Sequence, residues 1–148
     1  MTSQATGMTV RKAILVSCSV EQAFATFTDG IATWWPLGTH SIGEKRAQTC
    51  VFEGKAGGRL YEIWDDGTEC DWGGVTVWEP PHRIVFWWQP NPDASAPTEV
   101  ELGFAAESDG TRVELEQERL GASATEAYES YDSGWGAVLP IYAKAASG

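Results

Sequence analysis

Apolar positions along the chain change their period from segment to segment. Val10 to Val16 sets Val10, Ala13, Ile14, Leu15 and Val16 around Arg11 and Lys12, and reads as a strand. Ser19 then stands where a helix N-cap is expected, with Gln22 at the capping-box position. Val20, Ala23, Phe24 and Phe27 follow at the spacing of a short helix that stops near Asp29-Gly30. Ile31 to Trp35 is short, apolar and closed by Pro36, which disfavours α conformation in the residue before it, so one more helical turn is expected there. Leu37 to Ala47 has no period and is rich in Gly, Ser, Thr and charge, as a loop would be.

From Gln48 onward the chain predicts short strands at Thr49 to Glu53, Arg59 to Trp64, Glu69 to Trp78, Arg83 to Gln89, Thr98 to Phe104 and Thr111 to Glu118. Turn signals separate them: Gly57-Gly58, Asp65-Asp66-Gly67, Glu79-Pro80-Pro81, Pro90-Asn91-Pro92-Asp93 and Ser108-Asp109-Gly110. That spacing is an antiparallel meander. Val100, Leu102 and Phe104 alternate with Glu99, Glu101 and Gly103, and Val113 and Leu115 with Arg112, Glu114 and Glu116, so one sheet face meets water and the other a core. The adjacent Trp87 and Trp88 must point to opposite faces.

After Gly121, Ser123 can cap a final helix with Glu126 three residues on. Ala127, Tyr128, Tyr131, Trp135, Val138, Leu139 and Tyr142 then recur every three or four residues, the stripe of a long amphipathic helix. Gly134 and Gly136 inside it each cost about 1 kcal/mol relative to alanine, which close packing on the sheet or a kink beside a ligand would offset. Pro140 should bend or loosen the helix. The expected class is α+β: a single domain over 1–148, residues 1–8 flexible, with a curved antiparallel sheet of about seven strands wrapped on the C-terminal helix and two short helices after the first strand.

Composition narrows the partners. The 43% hydrophobic and 21% charged residues are those of a chain that folds alone. A formal charge of −11 repels phosphate backbones and anionic headgroups, which argues against nucleic acid and membrane surfaces. No apolar run reaches the roughly 18 residues of a membrane span, and the polar N-terminus lacks a signal-peptide pattern, so a cytoplasmic location is expected. The three cysteines, Cys18, Cys50 and Cys70, are widely spaced without a C-x-x-C pair and read as reduced structural thiols. Eight tryptophans, against four tyrosines and five phenylalanines, call for walls that are apolar on one side and polar or wet on the other.

The order of elements resembles the helix-grip fold of the START and birch-pollen-allergen superfamily (SRPBCC). Val20-Glu21-Gln22-Ala23-Phe24, Trp34-Trp35-Pro36, Gly57-Gly58-Arg59-Leu60-Tyr61-Glu62, Trp72-Gly73, Trp78-Glu79-Pro80-Pro81-His82-Arg83 and Gly134-Trp135 with Leu139 look like its branch named for the activator of the heat-shock-protein-ninety ATPase. The resemblance implies a cavity between sheet and helix for a small hydrophobic molecule. Superfamily members include carriers, receptors and enzymes such as aromatases and cyclases, so function has to be argued from the site. Three readings stand: binding of a hydrophobic or aromatic ligand, an enzyme acting on a cyclic or polyketide-like substrate, and a protein-interaction module with a chaperone-related partner. A homodimer stays open.

The candidate cavity residues are Trp34, Trp35, His40, Tyr61, Glu62, Trp72, Tyr131, Trp135 and Leu139. Trp34-Trp35 could form a lid, or simply pack the short helices onto the sheet. On the strand from Arg59, only one of two sets, Arg59, Tyr61 and Ile63 or Leu60, Glu62 and Trp64, can face inward. An inward Glu62 would be a buried carboxylate fit for a general base or a ligand hydroxyl; an outward one would pair with Arg59 or Arg83. Glu69 and Asp71 could pair opposite this strand across the Asp65-Asp66-Gly67 turn. His40 and His82 are too isolated to make a metal site, and no Gly-x-Ser-x-Gly elbow or Cys–His motif points to hydrolysis. No cofactor is expected, and no residue is assigned a catalytic role.

Overall fold

A computed structural model describes residues 9–89, 98–118 and 124–147, without the side chains of 124–133. Residues 1–8, expected to be flexible, lie outside these, as does the Pro90-Asn91-Pro92-Asp93 turn. The elements are β1 (Val10–Val16), α1 (Val20–Phe27), β2 (Ala47–Phe52), β3 (Arg59–Trp64), β4 (Glu69–Glu79), β5 (Arg83–Trp88), β6 (Thr98–Glu107), β7 (Gly110–Glu118) and α2 (Ala124–Ser147), with 3-10 turns at Ile31–Thr33 and Glu44–Arg46. The strands form one antiparallel sheet in the order β1-β7-β6-β5-β4-β3-β2. Six of them run as a meander, and β1 returns to close on β7, its register running from Val10↔Gln117 to Val16↔Thr111. The result is a curled half-barrel sheet with a C-terminal helix and a short helix after the first strand.

Period two decides which residues face the helices. In β6 the buried side chains are Thr98, Val100, Leu102 and Phe104, and in β7 Thr111, Val113, Leu115 and Gln117. Leu102 lies opposite Leu115 on β7 and Ile84 on β5, so the inner face is continuous across three strands. On β5 the rule separates the adjacent tryptophans, Trp88 inside at 5% exposure and Trp87 outside at 40%.

Local chemistry closes the helices onto this face. Ser19 caps α1 by accepting the Gln22 backbone N–H at 3.1 Å. The Gln22 side chain donates forward to Thr26 Oγ1 at 3.2 Å rather than back to the cap. From α2, Trp135, Val138, Leu139, Tyr142 and Ala146 are buried. The Tyr142 hydroxyl donates to the Ala23 carbonyl at 2.7 Å and ties α2 to α1.

The helix runs through Pro140 without a break, with that residue exposed. The close packing expected at its glycines is not found. No described atom lies within 4 Å of where a Cβ on Gly134 would stand, and at Gly136 the nearest is Lys12 Nζ at 3.9 Å. No described helix is long and apolar enough to cross a membrane.

Candidate functional site

Four indoles from four parts of the chain meet between the sheet and α2. Trp35 follows the first 3-10 turn, Trp72 lies on β4, Trp88 ends β5, and Trp135 comes from α2. The ring centroid of Trp35 is 5.1 Å from that of Trp72, 5.9 Å from Trp88 and 6.1 Å from Trp135. Trp88 is in turn 5.7 Å from Trp72 and 5.6 Å from Trp135. These offset and edge-on separations are those of stabilising aromatic pairs, and they leave no room for another ring to slide between two members. Trp34, 5.7 Å from Trp35, links the cluster to Phe27 and Tyr142.

The indole donors of this wall are mostly committed to the chain itself. Trp34 Nε1 donates to the Thr26 carbonyl at 2.7 Å and Trp35 Nε1 to the His40 carbonyl at 2.8 Å. Trp72 Nε1 donates to Glu62 Oε1 at 2.6 Å, and Trp135 Nε1 to Gln117 Oε1 at 2.8 Å. Each bond sets one ring's orientation, so the apolar faces are held rather than free to re-pack.

Glu62 is the polar centre of one side of the cluster. Strand β3 turns Leu60 and Glu62 inward, and Glu62 is fully buried. None of the salt bridges among the described residues involves it. Its Oε1 accepts from the Ile42 N–H at 2.7 Å as well as from Trp72. Its Oε2 accepts from the Gly43 N–H and Trp64 Nε1, both at 2.7 Å. Charge-assisted bonds to four N–H groups can offset the loss of hydration that makes a buried carboxylate costly.

Local backbone irregularity makes this convergence possible. The β3–β4 register shifts between Leu60 and Tyr61, which pair with Gly73 and Asp71 and leave Trp72 as the extra residue of a bulge. On the loop, a Cβ at Gly43 would collide with the Trp64 indole, so only glycine lets that ring and the Gly43 N–H reach one oxygen together.

The outer face of β3 takes the ion pairs. Tyr61 points away from Glu62 and lies under the Arg59 guanidinium, 3.9 Å from the tyrosine ring centroid. Glu69 and Asp71 do pair opposite this strand, across from Ile63 and Tyr61, and lie on its outer face, where Arg59 binds Asp71 at 2.7 Å and Glu69 at 3.1 Å. Arg83 pairs with Glu79 and Glu101. Neither arginine meets Glu62.

Trp34, Trp35, Glu62, Trp72, Trp135 and the buried Leu139 are thus gathered on the inner side, whereas Tyr61 is not. His40 contributes its carbonyl to Trp35, but its ring turns to Thr39 Oγ1, 2.8 Å from Nδ1, in a half-exposed position. The Tyr131 side chain lies outside those described. Among the described residues no three His, Cys, Asp or Glu side chains converge as a metal site requires. Cys50 and Cys70 flank Glu62 on the neighbouring strands. Burial, with the Glu62 charge adding to it, pushes the Cys50 thiol up to about 12 and raises Cys70 as well, the opposite of an activated nucleophile.

Sequence reasoning missed Gln117 and Thr98. Trp135 donates to Gln117 Oε1, Gln117 Nε2 donates to Thr98 Oγ1 at 2.8 Å, and Thr98 Oγ1 donates to the Trp88 carbonyl at 2.9 Å. This buried relay joins α2 to β7, β6 and β5 and fixes which way the amide points. The signal was available in the alternation itself, since Gln117 continues the inward set Thr111, Val113, Leu115 by parity.

Comparison with known proteins places this geometry. A family model described as activator of Hsp90 ATPase homolog 1-like protein matches residues 17–143. Protein CV1439 from Chromobacterium violaceum superposes with a TM-score of 0.69 at 18% identity, over 96% of this chain and 99% of that chain. Protein MLL2253 from Mesorhizobium loti does so at 0.68 and 19%, over 92% and 94%. These two bear on the fold alone. An anthrahydroquino-gamma-pyrone synthase, Txn09, complexed with SUM, is 38% identical over 84% of this chain and 86% of that chain, with a TM-score of 0.56. No curated protein matches.

Proposed function

The chain belongs to the family of activator of Hsp90 ATPase homolog 1-like proteins, and from that premise we propose that it binds a small, flat, hydrophobic aromatic molecule against the tryptophan cluster between sheet and α2. One observation carries the reading: Trp35, Trp72 and Trp135 spend their indole N–H groups on the protein, at 2.8, 2.6 and 2.8 Å, and so present oriented apolar surface. Rings fixed before binding lose little entropy when a ligand arrives. The short centroid separations imply that the ligand lies against the cluster rather than between its members. The 38% identical relative, by its name, makes a fused aromatic pyrone, which supports this ligand class.

That name also favours a second reading, an enzyme acting on a cyclic or polyketide-like substrate. The geometry bears on how such an enzyme would work. A carboxylate has about four acceptor positions, and all four of Glu62 are taken, so it has none to spare for a substrate proton. Turnover would rest on holding a reactive substrate in one folded shape while excluding water. For a partner-binding module the surface offers little: the exposed large apolar residues among those described, Leu15, Trp87 and Ile141, sit on three different elements.

Calorimetric titration with fluorene, a flat hydrocarbon, tests the binding reading. Saturable binding is expected, weakened about tenfold in Trp35→Leu by loss of aromatic contact. Absence of saturable binding to fluorene and to a panel of larger polycycles would sink it.

A further inference from the structure

Trp88 stands apart from the other buried indoles. Trp34, Trp35, Trp72 and Trp135 each donate to an oxygen of the chain. Trp88 is 5% exposed, touches Trp35, Trp72, Trp135 and Phe86, and has no acceptor for Nε1 among the described residues. A buried N–H without a partner costs about 1–3 kcal/mol, and such groups in folded proteins ask for an explanation. The ring is not loosely placed, because its own carbonyl takes the Thr98 hydroxyl at the end of the Gln117 relay.

The chemistry of the surroundings restricts what could satisfy it. An indole N–H only donates, so the missing partner is an acceptor. A carboxylate or phosphate would add an uncompensated negative charge to an apolar wall that already holds the Glu62 anion, in a chain of formal charge −11. A hydroxyl would bring an O–H of its own in need of an acceptor among hydrocarbon faces. A carbonyl oxygen has neither defect. Resting on the binding reading above, we infer that Trp88 Nε1 is the donor to a ligand carbonyl, and that the site selects aromatic ketones, quinones and pyrones over hydrocarbons of the same shape.

The test compares 9-fluorenone with fluorene, which share a flat three-ring frame and differ by one carbonyl, on the full chain and on Trp88→Phe. The wild-type protein should bind fluorenone about tenfold more tightly than fluorene, the value of roughly one buried hydrogen bond, and in Trp88→Phe that ratio should fall to about one whatever the variant's affinity for fluorene itself. In a 15N-resolved spectrum the Trp88 indole N–H should move downfield with fluorenone, as a new hydrogen bond requires, beyond the ring-current shift that fluorene alone causes, a readout that needs no variant to fold. If the wild type binds both ligands equally, if the preference survives in Trp88→Phe, or if the Trp88 peak ignores the carbonyl, the assignment is overturned while the aromatic site stands. If the wild type binds neither, nor any larger polycycle, the binding reading itself falls.

Discussion

Glu62 Oε1 and Trp72 Nε1 meet at 2.6 Å inside the sheet, and the bond depends on one extra residue in β4. Without the bulge at Trp72 the two strands would stay in register and the indole would be carried to a different place relative to the carboxylate. The same carboxylate reaches the loop at Ile42 and Gly43, so a single buried side chain couples the wall of tryptophans to the segment before β2.

Replacing Glu62 by Gln keeps the shape and removes the charge. The amide offers one acceptor oxygen and one donor NH2, so two of the four N–H groups now face a donor. Glu62→Gln is expected to lower stability by about 3 kcal/mol and to shift the indole N–H resonances of Trp64 and Trp72. Urea unfolding with 15N-resolved spectra checks this, and a loss below about 1 kcal/mol would mean the carboxylate is not what holds the loop.

Alkaline pH supplies a second prediction. The Cys50 thiol is raised from 9.0 to about 12 on folding, and the Tyr142 phenol is also raised by burial. A group with a raised folded pKa keeps its proton in the native state after the unfolded chain has lost it, so its stabilising share is complete below about pH 9 and is lost as pH climbs toward 12. Stability should therefore fall by about 1.4 kcal/mol per pH unit on account of Cys50 across that window, and Tyr142, whose ordinary value is 10.0, adds to the slope only above that. Cys50→Ala should flatten the slope between pH 9 and pH 10.5 relative to wild type in parallel urea titrations; identical slopes would refute it.

The helix glycines give the third. With no described atom within 4 Å of a Cβ at Gly134, alanine meets no clash there and restricts the unfolded chain. Gly134→Ala is expected to raise stability by up to about 1 kcal/mol, read as a higher urea midpoint. A drop together with weaker fluorene binding would instead place ligand in that space.

Local pattern sufficed wherever one face of an element is apolar and the other is not. The strand Arg59–Trp64 and the cap at Ser19 could be read directly, because alternation and capping involve neighbours in sequence. The direction of Glu62 could not. Both alternating sets on β3 mix polar and apolar residues, and the deciding groups, the Ile42 and Gly43 N–H and the Trp72 indole, lie 20, 19 and 10 positions away. The side of Tyr61 follows from the same groups: adjacent to Glu62, it takes the other face. Gln117 and Thr98 escaped because a polar residue at an inward position looks like an exception until its partners from other strands are known.

The four N–H groups around Glu62 also divide the molecule by its response to salt. On the outer face, Arg59, Arg83 and Arg112 hold their carboxylates in contact with water, where dissolved ions compete within about 10 Å at 0.1 M. The joint between loop and sheet is made from an ion and neutral dipoles, sealed away from that competition. Raising ionic strength loosens the outer surface of the sheet while the tryptophan wall and its loop stay fastened.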